Sequence, residues 1–459
     1  MKKNLSIARN LKIGLFHLGS GMADVLATGV WNRIMISDLG FSATPIGLLV
    51  SLRYFLAPLG VWAGRVSDRH AITGYRRLFW VWLGRALMVL SLFALGLATA
   101  ALARGADATP AMWVVLSLSL LLFSLGNALS GSTFLALIYD RTPEHQRGRA
   151  VGLVWTFLLL GFTIGGILFG VMLPTTDNTT GLSFTPDTLQ NLFIITAVIL
   201  GSLWFFSLLG EERRSTGSVE SSTASETSTS VWADLRLVWH NRHTRFFLFY
   251  LALSMLFAFA QDLVLEPFAA DVFQMDARHT TRFAAYWGSM SILGSLLFLW
   301  LSRRIKWLDN TNMSYIGVAV LVATFGLFAV SSLGAVRWLV TPGLILLGLG
   351  LGLWNIGTLG LMMDMSPASR AGTFLGFWTL LVTFARGFGV SGGGIIRDMV
   401  LALTDNLQLA YGSVFVLEFV GLLVALWALS QVKVNVYQAA QPIENQPADM
   451  AKALAGAIE

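Results

Sequence analysis

Residues 246–275 read FFLFYLALSMLFAFAQDLVLEPFAADVFQM. The apolar run that starts at Phe246 is long enough to cross a bilayer as a helix. Within it lie Gln261, Asp262 and Glu266, the two acids spaced i, i+4 and so on one helix face. A charge at mid-membrane costs about 2.5–3.5 kcal/mol on insertion scales, so two on one face imply a wet or paired lining. Pro267 removes a backbone donor and clashes with the preceding turn, which predicts a kink or break.

The rest of the chain has the same character. Of 459 residues, 55% are hydrophobic and 12% charged, against about a quarter charged in soluble domains, so the protein is integral to a membrane. Apolar windows place twelve spans, roughly 13–36, 44–64, 78–102, 112–138, 149–173, 190–209, 246–270, 283–301, 313–333, 338–362, 372–396 and 411–431. Of 31 Lys and Arg, 22 fall on the side of the termini, 5 on the other and 4 within spans. That bias predicts cytoplasmic termini. The net charge of +6 follows this orientation rule and is no sign of nucleic-acid binding. MKKNLSIARNLK at the amino terminus is basic without a small-residue cleavage site, so it reads as a cytoplasmic start. Zero cysteines exclude disulfides, thiol catalysis and Cys-bound metals.

Residues 215–230, STGSVESSTASETSTS, have 11 Ser or Thr in 16 and no apolar periodicity, which predicts a flexible linker. VWADLRLVWHNRHTR, from Val231, reads either as an interfacial amphipathic helix or as a plain approach to the seventh span. The expected divisions are therefore 1–209 and 246–435 as helical halves, 210–245 as a cytoplasmic linker and 436–459 as a tail. The halves are related. At an offset of 224, Asp140, Pro143, Gly148 and Gly152 fall on Asp364, Pro367, Gly372 and Gly376; at 238, Asp24 and Asp38 fall on Asp262 and Asp276. Parallel six-helix repeats of this kind build facilitator-type transporters.

The first span carries a polar stripe, His17, Ser20, Asp24, Thr28 and Asn32, in steps of 3 and 4. Such a stripe must face protein or water, and repeat symmetry would set it opposite Gln261, Asp262 and Glu266 across a central cavity. Arg33, Arg53, Arg85 and Arg386 fall inside or at the edges of spans; pairing with Asp24, Asp262, Glu266 or Glu418 is their ordinary structural explanation. His17, the one histidine within a span, serves either as satisfied polar packing or as a metal ligand. Enzyme motifs are lacking: there is no Walker loop, dinucleotide fingerprint or His-x-x-His metal cluster. GFGVSGGG at 387–394 lies in an apolar span without a Lys-Ser/Thr ending, so it predicts close helix packing.

Gln261-Asp262-Leu263-Val264-Leu265-Glu266-Pro267-Phe268 resembles the Gln-Asp-x-x-Leu-Glu-Pro-aromatic signature of the PucC/LhaA family, the bacteriochlorophyll-delivery branch of the major facilitator superfamily. Asn32-Arg33-Ile34-Met35-Ile36, Ala57-Pro58 through Asp68, Gly74-Tyr75-Arg76-Arg77 with Trp82, Thr280-Thr281 and Trp287-Gly288 also fit; Ala269-Ala270 stand where the family has glycines. The resemblance implies an all-α membrane protein with twelve transmembrane helices in two pseudo-symmetric six-helix bundles. It implies a gating loop in which Gly64 and Asp68 open the superfamily motif and Arg76 and Arg77 close it, although a basic loop obeying the orientation rule explains these equally. It further implies assembly of light-harvesting complexes in a bacterial cytoplasmic or photosynthetic membrane, with bacteriochlorophyll or chlorophyll as bound cargo, His17 as a ligand to the chlorin magnesium, and antenna polypeptides or a pigment synthase as partners. Arginines such as Arg33, Arg53 or Arg386 would then meet tetrapyrrole carbonyls or the propionate. The alternative is a proton-coupled solute transporter with Asp262 or Glu266 as the titrating group.

Overall fold

The computed structural model describes residues 7–143, 147–173, 184–212, 239, 241–302, 304–305, 307–366 and 371–439. The Ser/Thr-rich linker, most of the proposed amphipathic segment, Pro367 and the tail beyond 439 lie outside the described residues. Among the described residues, twelve helices are long and apolar enough to cross a membrane. Spans 1 to 6 are Ala8–Asp38, Ala43–Arg69, Leu78–Ala103, Pro110–Arg141, Gly152–Met172 and Pro186–Leu208. Spans 7 to 12 are Arg242–Asp262, Ala277–Ser302, Asn310–Leu333, Arg337–Asp364, Phe374–Thr404 and Leu407–Ser430. The chain is a multi-pass, all-α membrane protein.

Packing reveals the repeat. In the first half span 1 packs on 5 and 6, span 3 on 4 and 6, and span 2 on 4. Adding six to each number gives the second half: 7 on 11 and 12, 9 on 10 and 12, 8 on 10. The two bundles meet along spans 2 and 11 and, by the same symmetry, 5 and 8. Asp140 and Asp364, matched by offset in the sequence, close spans 4 and 10 in the same way. Asp140 holds Arg77 at the start of span 3 (3.1 Å), and Asp364 holds Asn310 at the start of span 9 (2.9 Å).

Small residues set the closest crossings. GFGVSGGG is helical throughout, inside span 11. A Cβ on Gly389 would lie 2.2 Å from the Leu256 carbonyl oxygen, and one on Gly393 2.4 Å from that of Ala260. Span 11 therefore rides on the bare backbone of span 7, as the small-residue run predicts.

Two elements depart from the straight helices expected. Span 1 changes to π-helical bonding over Val25–Val30 and Ile34–Asp38. Span 2 breaks at Leu56, ahead of Pro58, whose ring cannot accommodate the preceding turn.

Candidate functional site

The break in span 7 does not come where Pro267 suggested. The helix Arg242–Ala258 ends before either acid is reached, and a 3-10 turn follows over Ala260–Asp262. A new short helix then begins, Leu265–Phe273, with Pro267 in its first turn. There the missing N–H is one that no helix would have satisfied. Asp262 and Glu266 thus belong to two segments, not to one helical face as their spacing implied. The backbone freed by the break finds a partner in span 12: the Gln261 N–H donates to Glu418 Oε1 at 2.6 Å. Glu418 is completely buried, and its other oxygen has no hydrogen-bond partner among the described residues.

Asp24, Thr28, Gln261, Asp262 and Glu266 converge on one cavity between the halves, with Arg53 and Arg386 in its wall. Phe162, Phe259 and Trp287 complete its apolar side. Within the first half, Arg53 pairs with Asp24 at 2.8 Å and donates to Tyr54 Oη at 2.5 Å. Within the second, Arg386 pairs with Asp262 at 2.7 Å, and Gln261 Nε2 donates to the same carboxylate at 2.8 Å. The Arg386 guanidinium lies 3.9 Å from the centre of the Phe259 ring and 5.2 Å from that of Tyr54. Tyr54 also faces Arg53, at 4.7 Å, so one ring receives a cation from each half.

Glu266 remains. It is buried and lines the cavity, and among the described residues no other side chain hydrogen-bonds or ion-pairs with its carboxylate. Its Oε1 would lie 3.2 Å from a Cβ on Gly29, so span 1 makes room for it with a glycine. The cavity volume is about 50 Å³, enough for a few waters and far below the ~300–1,000 Å³ of sites that enclose drug-sized ligands. The room beside these carboxylates suits protons and water; a tetrapyrrole ring does not fit in it.

Other residues expected at the cavity lie elsewhere. Asn32 is fully buried, and neither atom of its amide has a hydrogen-bond partner among the described residues. Arg33 pairs with Asp38 and donates to the Met275 carbonyl at 3.1 Å, toward the side opposite the termini. His17 packs against Phe134, with ring centres 4.8 Å apart, and edge-on to Trp155 at 6.3 Å. For Asn32 and Arg33 the physical reason lies in the π turns: i→i+5 bonding widens the helix, so a step of four from Thr28 no longer returns to the same face. His17 precedes these turns and lies about two helical turns from Asp24 toward the amino terminus. Arg85 has no carboxylate partner among the described residues. Its guanidinium is held between Phe16 and Trp204, 4.3 and 4.7 Å from their ring centres.

The loop residues Gly64, Asp68, Arg76 and Arg77 form one cluster. Arg77 pairs with Asp68 and Asp140, and donates to Ser67 Oγ at 2.6 Å and the Gly64 carbonyl at 3.4 Å. Arg76 reaches Asp140 at 3.5 Å. Glu212, read in the sequence only as the start of the linker, accepts the backbone N–H groups of Arg76, Arg77 and Leu78 at 2.9, 3.0 and 2.8 Å. An anion at a helix N-terminus satisfies donors the helix leaves open. Glu418 and Glu212 were the signals to heed: one is an acid inside an apolar span, the other an acid opening the linker.

Comparison with known proteins follows the same lines. A family model described as PUCC protein matches residues 30–436. Protein PucC of Cereibacter sphaeroides is 27% identical over 427 residues, covering 90% of this chain and 89% of its own. The bacteriochlorophyll synthase 44.5 kDa chain of Rhodobacter capsulatus is 29% identical, covering 88% and 90%. Among solved structures, the nucleoside transporter NupG superposes with a TM-score of 0.64 at 17% identity, over 92% of this chain and 98% of its own. A bacterial homolog of the lysosomal transporter Spinster, inward-facing and unoccupied, gives 0.68 at 14%, over 93% and 97%. The structural likenesses establish a major-facilitator fold, and the match over residues 30–436 establishes that the chain belongs to the PUCC protein family.

Proposed function

We propose that this protein serves photosynthetic membranes as an assembly factor, holding bacteriochlorophyll or chlorophyll in the bilayer and passing it to antenna polypeptides. The observation that carries this reading is the family match over residues 30–436, reinforced by a relative named for bacteriochlorophyll synthase. The geometry refines it. A cavity of about 50 Å³ at the central carboxylates leaves the macrocycle to be held elsewhere, on aromatic surface such as that around His17 and Trp155. The carboxylates then act on the arrangement of the two bundles and not as ligands of the ring. In a pigment-producing host, the protein purified in mild detergent carries chlorin absorption and antenna polypeptides. Pigment-free protein from such cells refutes the proposal. The Asp262→Asn, Glu266→Gln double variant inserts normally but lowers antenna accumulation; normal antenna levels would remove these groups from the function.

One observation favours a second reading, proton-coupled transport of a small or amphipathic solute: Glu266 is a cavity-facing carboxylate with no ion-pair partner among the described residues. Proton-driven uptake into pigment-free vesicles, abolished by Glu266→Gln, would select it.

A further inference from the structure

On the side opposite the termini, a groove of about 750 Å³ opens between the start of span 8 and the turn joining spans 9 and 10. Its wall includes Arg282, Tyr286, Arg337 and Trp338. This side of the protein is poor in cations, as orientation in a membrane requires. It holds six: Arg33, which pairs with Asp38, and Arg104, Arg278, Arg282, Arg337 and Arg397. Arg104 pairs with Asp187, and Arg397 with Asp271 and Asp398. The other three are at or beside this groove, and none pairs with a carboxylate among the described residues. Asp276, the one carboxylate between residues 275 and 286, is engaged by the backbone and ring of His279 at 2.9 and 2.5 Å.

The groove is also at a defined depth. Ala277 opens span 8 and Arg337 opens span 10, so these side chains lie where hydrocarbon gives way to headgroups. Trp338 is 73% exposed and Tyr286 46%, as residues of an interfacial aromatic belt are. The turn that presents Arg337 is braced: the Val336 N–H donates to the Ser331 carbonyl at 2.9 Å, and Ser331 Oγ to the Val336 carbonyl at 3.0 Å. From Tyr286, exposed Leu293 and Leu297 follow on the same face of span 8 at steps of seven and four, an apolar track leading into the bilayer.

From these features we infer a binding site for an anionic phospholipid, its phosphate between Arg282 and Arg337 and an acyl chain along Leu293 and Leu297. A basic pocket between transmembrane helices is a known headgroup receptor, and each arginine near the surface contributes about fivefold in affinity. Native mass spectrometry of the full chain in detergent, titrated with phosphatidylglycerol or phosphatidylcholine of equal chain length, tests it. The wild type should retain phosphatidylglycerol at least about fivefold better. Arg282→Gln with Arg337→Gln should abolish that preference, while Arg104→Gln should keep it. If the double variant does not fold, Arg337→Gln alone, on an exposed turn, should reduce the preference. Equal retention of both lipids by the wild type, or an undiminished preference in the variants, overturns the site. Displacement of phosphatidylglycerol by equimolar inorganic phosphate would assign the groove to a free anion and overturn the lipid reading.

Discussion

Glu266 is the carboxylate left over once Arg53 has taken Asp24 and Arg386 has taken Asp262. The stability consequences of removing each acid therefore differ. Asp262→Asn strands Arg386 in a buried wall, and breaking a buried pair costs about 3–5 kcal/mol. Because Arg386 keeps 30% of its side-chain surface open, the lower end of that range is expected. Glu266→Gln strands nothing and should leave the melting temperature in detergent nearly unchanged. A larger loss for Glu266→Gln than for Asp262→Asn would show the pairing to be misassigned. Glu418→Ala leaves the Gln261 N–H without its acceptor, a cost of about 1–3 kcal/mol, whereas Glu418→Gln keeps a carbonyl in place and should recover most of it.

At the scale of elements, the broken seventh span depends on the eleventh. Gly389 and Gly393 press against the carbonyls of Leu256 and Ala260, while a Cβ on Gly392, in the same run, meets nothing within 4 Å. Gly389→Ala and Gly393→Ala should each destabilise by about 1–3 kcal/mol through overpacking, and Gly392→Ala should not. Thermal unfolding of the three variants checks this; equal behaviour would mean that the crossing is looser than described. The same elements show what could be read from the chain. The spans were legible because eighteen or more apolar residues leave a helix few alternatives. Asp24, Asp262 and Glu266 were legible as a group because charge in a bilayer needs a shared wet site. The position of the break was not, since a tertiary contact from Glu418 and the approach of span 11 accompany it, while Pro267 drew attention downstream. Asn32 was misplaced because π turns carry no local signature comparable to a proline.

For the whole molecule, the question is whether the halves must part on the side away from the termini. Ser51 of span 2 and Ser391 of span 11 meet there, Oγ to Oγ at 2.8 Å. The chain has no native cysteine, so Ser51→Cys with Ser391→Cys would be its only thiols, close enough to form a disulfide on oxidation. Cleavage within the linker should then leave the halves joined on a non-reducing gel. If alternating access drives the protein, the bridge abolishes function and reduction restores it. If the bundle is a fixed scaffold for assembly, the bridged protein works as well as the open one.

Both central ion pairs are contained within a half: Asp24 with Arg53 in one, Asp262 with Arg386 in the other. Tyr54 belongs to the first and would stay with Arg53, so a separation would slide Arg386 off the ring with its own counterion in tow. The two halves can thus come apart without either exporting a bare charge into lipid. Rearrangement would then be opposed by dispersion, aromatic contact and hydrogen bonds such as Ser51 to Ser391 and the Ala43 and Thr44 N–H groups to Asp398, and not by the much steeper toll of separating an ion pair.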